Sequence, residues 1–120
     1  MRKILIALLV VIGTTLSSAL AYAHPHLKAA TPAPGGVMNY SPRELRLTFS
    51  ESLLPRFSAV QVTDQRGRLV RTATRATPDK RQLVVALPPR LAAGVYRVMW
   101  RVVSADTHPV SGRYMFRVRA

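Results

Sequence analysis

The sequence predicts an all-β domain, either a β-sandwich or a small barrel. Short runs in which apolar and polar residues alternate recur along the chain, and turns rich in Gly and Pro separate them. No window shows a sustained helical period with caps, and the one helical-looking stretch, residues 52–56, contains Pro55. Six or seven short strands at this spacing are typical of two packed sheets or of one closed sheet.

Alternation of side chains defines the strands one by one. Leu45, Leu47 and Phe49 are apolar and the residues between them are polar, so one face of this strand is predicted to be buried. The longest run places Tyr96 and Trp100 on one face, which indicates that Trp100 belongs to the core. In chain order, the predicted strands are residues 27–30, 45–50, 57–63, 68–71, 82–87, 95–103 and 114–118.

The start of the longest strand gives a further indication. Tyr96 lies just inside that strand, after a turn that contains Pro88, Pro89 and Gly94. A Tyr at this place resembles the tyrosine corner of immunoglobulin-like sandwiches, in which the hydroxyl bonds to an upstream backbone group. This feature points to an immunoglobulin-like sandwich.

The N-terminal segment has the pattern of a secretory signal peptide. Two basic residues precede an unbroken apolar run over residues 4–12, and an Ala-Tyr-Ala sequence ending at residue 23 is typical of a cleavage site. The apolar run is too short for a membrane span. We therefore divide the chain into a cleaved signal peptide, residues 1–23, and one exported domain, residues 24–120, with no stable membrane insertion after cleavage.

Composition limits the chemistry available to this domain. The chain has no cysteine, so an exported protein of this sequence has neither a disulfide nor a thiolate ligand. Its formal net charge is +13, and most of the basic residues are arginines. Arg113, Arg117 and Arg119 alternate with apolar residues, so we interpret them as part of a solvated sheet face. No nucleic-acid partner is expected, because an exported protein does not meet cytoplasmic nucleic acid.

The histidines stand in two groups that one metal ion would bring together. Cleavage after residue 23 would leave the α-amine and the imidazole of His24 available as a chelating pair. Asp106 and His108 lie in the predicted turn between the last two strands, and in an extended segment residues at this spacing share one face. The amine, the two imidazoles and the carboxylate would form an N₃O set, and Cu(II) prefers tetragonal nitrogen and oxygen ligands.

Other interpretations of these residues stay open. An Asp two residues before a His in a turn often bonds nearby backbone instead of a metal. His26 cannot join the terminal amine and two backbone amides around one ion, because Pro25 has no amide hydrogen. We therefore expect His26 to support the site or to act as an auxiliary ligand.

Catalytic constellations are not recognisable in the sequence. Ser104 and Ser111 flank Asp106 and His108, but neither serine stands in a Gly-framed nucleophile motif. No Gly-rich phosphate loop and no pair of carboxylates in an acid–base context is present. We therefore expect a protein that is not an enzyme.

Four motifs follow one another along the chain. They are His-x-His-Leu-Lys-x-Ala-x-Pro at 24–32, Leu-x-Leu-Thr-Phe-Ser-Glu at 45–51, Leu-x-x-Gly-x-Tyr-x-Val-x-Trp at 91–100 and Val-Ser-x-Asp-x-His at 103–108. The ordered set resembles the CopC/PcoC family of periplasmic copper-resistance proteins. The resemblance implies an immunoglobulin-like Greek-key β-sandwich of about seven strands. It also implies a Cu(II) site at one end of the sandwich, with His24, Asp106 and His108 as ligands.

One feature of part of this family is missing. Some members carry a Met-rich loop that binds Cu(I), but Met38, Met99 and Met115 are scattered, and residues 64–88 contain neither Met nor His. We therefore expect one Cu(II) per chain and no tight Cu(I) site. The resemblance also implies that Glu51 is an auxiliary ligand or a carboxylate that orients a ligating imidazole.

The resemblance implies a monomeric copper carrier or sequestering protein of the periplasm, in copper homeostasis and resistance. Its partners would be the copper ion and a CopD-type copper importer of the inner membrane. A copper-dependent oxidase or monooxygenase with a histidine-brace site is a first alternative, although Asp106 as an anionic ligand would disfavour redox cycling. A metal-free immunoglobulin-like interaction module, which would use the basic sheet face, is a second alternative.

Overall fold

The computed structural model of the protein describes residues 24–119, and the predicted signal peptide, residues 1–23, lies outside the described residues. Eight strands form two four-stranded sheets that pack around a common core. The strands are β1 (Leu27–Thr31), β2 (Val37–Met38), β3 (Glu44–Phe49), β4 (Ala59–Thr63), β5 (Ala73–Ala76), β6 (Gln82–Ala86), β7 (Gly94–Val103) and β8 (Pro109–Val118).

The order of the strands is β1-β3-β6-β5 in the first sheet and β2-β8-β7-β4 in the second. All neighbouring strands are antiparallel except β2 and β8, which are parallel. The longest pairing is the β7–β8 hairpin, which runs from Gly94 opposite Val118 to Val103 opposite Pro109. The turn that joins these two strands, residues 104–108, therefore stands at one end of the sandwich. The predicted all-β sandwich is confirmed, with eight strands instead of about seven.

The core is built from the apolar face of each amphipathic strand. Leu45, Leu47 and Phe49 of β3 are buried, as their alternation predicts. Phe116 stacks on Tyr96 with ring centroids 5.4 Å apart. Each such side chain contributes about 1.5–3 kcal/mol when it is fully buried. The cluster also contains Leu53, Val60, Val62, Leu83, Val85, Leu87, Val98, Val102, Tyr114 and Val118.

Trp100 is packed at the margin of this core. Its ring is partly buried and meets Phe49 edge to face, with centroids 5.2 Å apart. Gly112 lies opposite Trp100 on β8, and a Cβ at that position would overlap the indole ring. The predicted inward orientation of Trp100 is confirmed, and it depends on a glycine in the neighbouring strand.

Residues 68–71 do not form the strand that was predicted for them. They contribute only one isolated bridge, from Leu69 to Thr63, and the strand in this part of the chain is β5. Asp64 explains the difference, because its Oδ1 accepts hydrogen bonds from the amides of Arg66 and Arg68. These bonds hold the backbone in a turn, so this segment does not form a continuous β-ladder.

Two further strands begin away from their predicted starts, and one strand was not predicted; the remaining bounds agree within one residue. β4 begins at Ala59 because Pro55–Phe57 forms a short 3-10 turn before it. β8 begins at Pro109, well before the predicted start at residue 114, because its partner β7 continues to that point and offers backbone groups for pairing. β2 was not predicted, because two residues carry no periodic pattern. Helices long and apolar enough to cross a bilayer are absent from residues 24–119.

Tyr96 forms the predicted tyrosine corner. Its hydroxyl donates to the backbone carbonyl of Ala92 at 2.6 Å. Burial, and to a smaller extent the charge of Asp64, raises the pKa of Tyr96, so the hydroxyl keeps its proton and remains a donor. The bond ties the turn before β7 to the strand itself.

We predict that Tyr96→Phe lowers the free energy of unfolding by about 1 kcal/mol, since it removes one hydrogen bond and leaves the packing of the ring intact. Chemical denaturation followed by Trp100 fluorescence measures this loss. Tyr40→Phe is the matched control, because the Tyr40 side chain is 66% exposed. An equal effect of the two substitutions would show that the Ala92 bond contributes nothing specific.

Candidate metal centre

Residues 24–26 are held against the end of the sandwich. Pro25 is fully buried. The His26 amide donates to Ser50 Oγ at 2.9 Å, and the Ser50 amide donates to the His26 carbonyl at 2.9 Å. These contacts fix the chain just before β1, so the position of His24 follows from the fold.

The turn between β7 and β8 carries the other two predicted ligands. The Thr107 amide donates to the Ser104 carbonyl at 2.9 Å, and Thr107 has a φ of 65°. This left-handed conformation is unfavourable for a β-branched residue, and such strain is frequent at functional sites. Asp106 and His108 come together as predicted. The cause is a tight turn and not the alternation of an extended segment.

The carboxylate of Asp106 is the buried member of the group. Its side chain is 6% exposed, against 62% for His24 and 72% for His108. Oδ1 accepts the Ser104 hydroxyl at 2.9 Å and the His108 amide at 3.1 Å. The Ser104 hydroxyl is the largest cause of a pKa of Asp106 below its usual value; burial opposes it, and the His108 amide adds to it. The carboxylate is therefore ionised at neutral pH and fixed in orientation.

The other oxygen of Asp106 has a different environment. Oδ2 is buried and has no hydrogen-bond partner. His24 Nδ1 lies 3.1 Å from it and His108 Nδ1 lies 3.9 Å from it, but the shorter approach lacks the alignment of a hydrogen bond. A positive charge on either imidazole would stabilise this oxygen, and both histidines contribute to the lowered pKa of Asp106. The lone pairs of Oδ2 thus face the same space as two imidazole nitrogens, which is the arrangement expected around a cation.

The spacing of these atoms fits one metal ion. His24, Asp106 and His108 are, within residues 24–119, the one group of His and acidic side chains whose ligand atoms all lie within 4.8 Å of one another. Donor atoms about 2 Å from a shared ion lie about 3 to 4 Å apart. The two imidazole rings are inclined by 59°, with centroids 5.7 Å apart, so they do not stack face to face. The mixed nitrogen and oxygen donors suit a borderline cation better than a hard one.

The remaining predicted site residues stay outside this group. His26 is exposed and Glu51 is half-buried, and neither belongs to the cluster. Ser104 was not predicted as part of the site, although it is buried and bonds directly to Asp106. Its position two residues before an Asp in a turn is the sequence pattern that could have indicated this hydrogen bond.

The described methionines do not form a thioether group near the cluster. Met38 lies on β2 and packs partly against the core. Met99 lies on β7 and Met115 on β8, where the Met115 side chain is 50% exposed. All three lie on the sheet that contains β7 and β8, and none lies in the turn that carries Asp106.

Comparison with known proteins gives consistent matches. The model of the CopC domain family matches residues 27–119. Copper resistance protein C of Xanthomonas campestris pv. juglandis is 36% identical over 117 residues, which cover 92% of this chain and 91% of that protein. The crystal structure of PcoC, described as a methionine-rich copper resistance protein from Escherichia coli, matches with 35% identity and a TM-score of 0.73, over 81% of this chain and 100% of that chain.

A third relative is much larger than this chain. Copper transport protein CutJ of Bacillus subtilis is 30% identical over 99 residues, which cover 81% of this chain but 18% of that protein. The family model spans nearly all of the described residues, and the Xanthomonas relative is matched over 91% of its own length. The resemblance indicated by the four sequence motifs is therefore confirmed, and the chain belongs to the CopC family of copper resistance proteins.

Proposed function

We propose that the protein is a periplasmic carrier or sequestering protein that binds one Cu(II) ion per chain through His24, Asp106 and His108. The observation that carries this proposal is the buried Oδ2 of Asp106, which has no hydrogen-bond partner and faces both imidazoles. Membership of the CopC family supports copper as the cargo.

The donor set favours Cu(II). Two imidazoles and one carboxylate supply two nitrogens and one oxygen, and cleavage before His24 would add the α-amine as a third nitrogen. Cu(II) prefers such ligands in a tetragonal arrangement, whereas Cu(I) prefers thioethers and thiolates. The chain has no cysteine, and its described methionines lie apart from the cluster. One Cu(II) per chain is the stoichiometry that follows from this single group.

The exposure of the two histidines favours carriage over catalysis. Both imidazoles are more than half exposed, so a partner could approach the ion and exchange ligands one at a time. An ionised Asp106 stabilises the higher charge of Cu(II) and disfavours reduction, which an oxidase would require. We therefore propose a binding protein and not an enzyme.

Localisation and partner are part of the same proposal. The predicted signal peptide supports export to the periplasm, where the protein would act as a monomer. CutJ, a protein named for copper transport, contains a region similar to this chain within a much longer sequence. A region similar to this chain is thus part of a protein named for copper transport, which supports a copper transporter as the partner. We propose a CopD-type copper importer of the inner membrane as the recipient.

The first test concerns the α-amine. Protein beginning at His24 should lose more than about 100-fold in Cu(II) affinity when one Ala is added before it, because the amine and the imidazole no longer belong to one residue. The same Ala added after residue 120 is the control. Competition titration against a Cu(II) chelator, with EPR of the bound ion, measures the loss. Equal affinity of the two extended proteins would contradict the N-terminal chelate.

The second test concerns the distant ligands. Asp106→Asn and His108→Ala should each weaken Cu(II) binding by more than roughly 10–100-fold. A loss of about 10–100-fold is typical when the replaced residue only orients a metal ligand. His26→Ala is the matched control, because His26 is an exposed histidine of the same region that lies outside the cluster. If His26→Ala costs as much as His108→Ala, the ligand set is wrong.

The third test concerns Ser104. Ser104→Ala should raise the pKa of Asp106, since the hydroxyl is the main cause of its lowered value, and should weaken Cu(II) binding by about 10–100-fold. NMR titration of the Asp106 carboxyl carbon in the copper-free protein measures the pKa independently of the metal. Ser111→Ala, at an exposed position of β8, is the control. An unchanged pKa would remove Ser104 from the site.

A further inference from the structure

The outer face of the second sheet carries several arginines and no acidic residue. Arg97 and Arg101 of β7, and Arg113 and Arg117 of β8, alternate with core residues and are exposed. Arg119 follows at the end of β8 and is also exposed. Glu44 lies on β3, and Glu51, Asp79 and Asp106 lie in loops away from this face. Asp64 follows β4 at the margin of the face, where it lines a depression with Arg97 and Met115 but forms no ion pair with Arg97.

The strand register places these arginines in a regular zigzag. Arg97 stands opposite Met115, and Arg113 stands opposite Met99, so no two arginines face each other directly. They are diagonal neighbours, whose backbone positions lie about 7–8 Å apart. The arrangement limits repulsion within the face and spreads its charge over the length of β8, about 30 Å.

The first sheet carries one ion pair on its strands, beside Lys28 and Arg75, which are unpaired within the described part of the chain. Arg46 of β3 donates to Glu44 at 3.0 Å and to Gln82 at 3.1 Å. The other arginine ion pair in residues 24–119 joins Arg68 to Asp64 in a turn. The arginines of the β7–β8 face take part in no ion pair among the described residues. Their charge is therefore available to an external partner.

A shallow depression lies within this face. Its volume is about 440 Å³, and most of its surface is apolar. Arg101, Ser111 and Arg113 line it together with Gln61, Ala59, Met99, Trp100 and Gly112. Two guanidinium groups and one hydroxyl are donors that suit a phosphate group, since a guanidinium can bind phosphate through two parallel hydrogen bonds.

We propose that this face binds the surface of a membrane that contains anionic phospholipid. The charge is spread over a flat sheet and is not gathered around one groove, as recognition of an acidic peptide would require. Met115 is half exposed between the arginines, and an apolar side chain at this place can enter the interfacial layer of a bilayer. A nucleic-acid backbone offers no such apolar layer, so a lipid surface fits both kinds of residue.

Binding in this way would hold the metal cluster beside the membrane. Arg101 lies two residues before Val103, where β7 ends and the turn with Asp106 begins. A protein lying on its β7–β8 face would therefore present that turn at the edge of the contact and leave His24 and His108 open. Lipid binding itself requires no copper, so this inference stands independently of the proposed metal site.

The test is sedimentation of copper-free protein, beginning at His24, with vesicles of phosphatidylcholine alone or mixed in equal parts with phosphatidylglycerol. We expect binding to the mixed vesicles only, and weaker binding as salt is raised. Arg97→Gln with Arg113→Gln should lower the partition coefficient about 25-fold, or about fivefold for each arginine. Arg43→Gln with Arg75→Gln, which removes equal charge at exposed positions elsewhere, should retain most of the binding.

Three results would overturn the inference. The first is equal partition of the protein to the two kinds of vesicle. The second is an equal loss in the two double variants, which would show that only net charge acts. The third is binding to soluble polyglutamate without binding to vesicles, which would assign the face to an acidic protein. Circular dichroism verifies the fold, and the single substitutions Arg97→Gln and Arg113→Gln replace the double variant if that variant is unfolded.

Discussion

The Ser104 hydroxyl and the His108 amide donate to the same oxygen of Asp106, and this sharing determines the character of the site. Because Oδ1 accepts both hydrogen bonds, the carboxylate is held in one orientation, and Oδ2 remains buried without a hydrogen-bond partner. Asp106 thus combines the two roles that an Asp in such a turn can have. One oxygen stabilises the turn, and the other is directed at the two imidazoles. If Oδ1 did not stabilise the turn, Oδ2 would have no fixed position relative to the two imidazoles.

This arrangement costs stability that the sandwich has to supply. The left-handed conformation of Thr107 costs about 1–3 kcal/mol. No disulfide can offset this cost, because the chain has no cysteine. Packing of the sandwich core, in which Phe49 and Leu47 are fully buried, therefore has to hold the turn in place. The ten residue pairs of the β7–β8 hairpin connect the strained turn directly to this core.

Alternation predicts the central strands well, because the strands that contain Leu45 and Val98 each have one buried and one solvated face. It fails where other forces act: Asp64 holds a turn over part of a predicted strand, and β2 is too short for a period. For the site, residue type and the cleavage pattern indicated His24 and His108, while the proximity of Asp106 to both depends on a backbone turn that no periodicity encodes. Ser104 was missed for the same reason, since its role is a local hydrogen bond.

A strongly basic protein repels a doubly charged cation, but the groups that act on Asp106 are local. The Ser104 hydroxyl, the His108 amide and the charges of His24 and His108 lower the pKa of Asp106, and no arginine is among these causes. Arg101, the arginine of the β7–β8 face that comes nearest in sequence to the turn, is separated from Asp106 by two strand residues and the start of the turn. Metal affinity is therefore determined within the cluster, whereas the arginines act on a surface that meets them directly. One rigid hairpin can in this way carry a cation site and a cationic face without conflict.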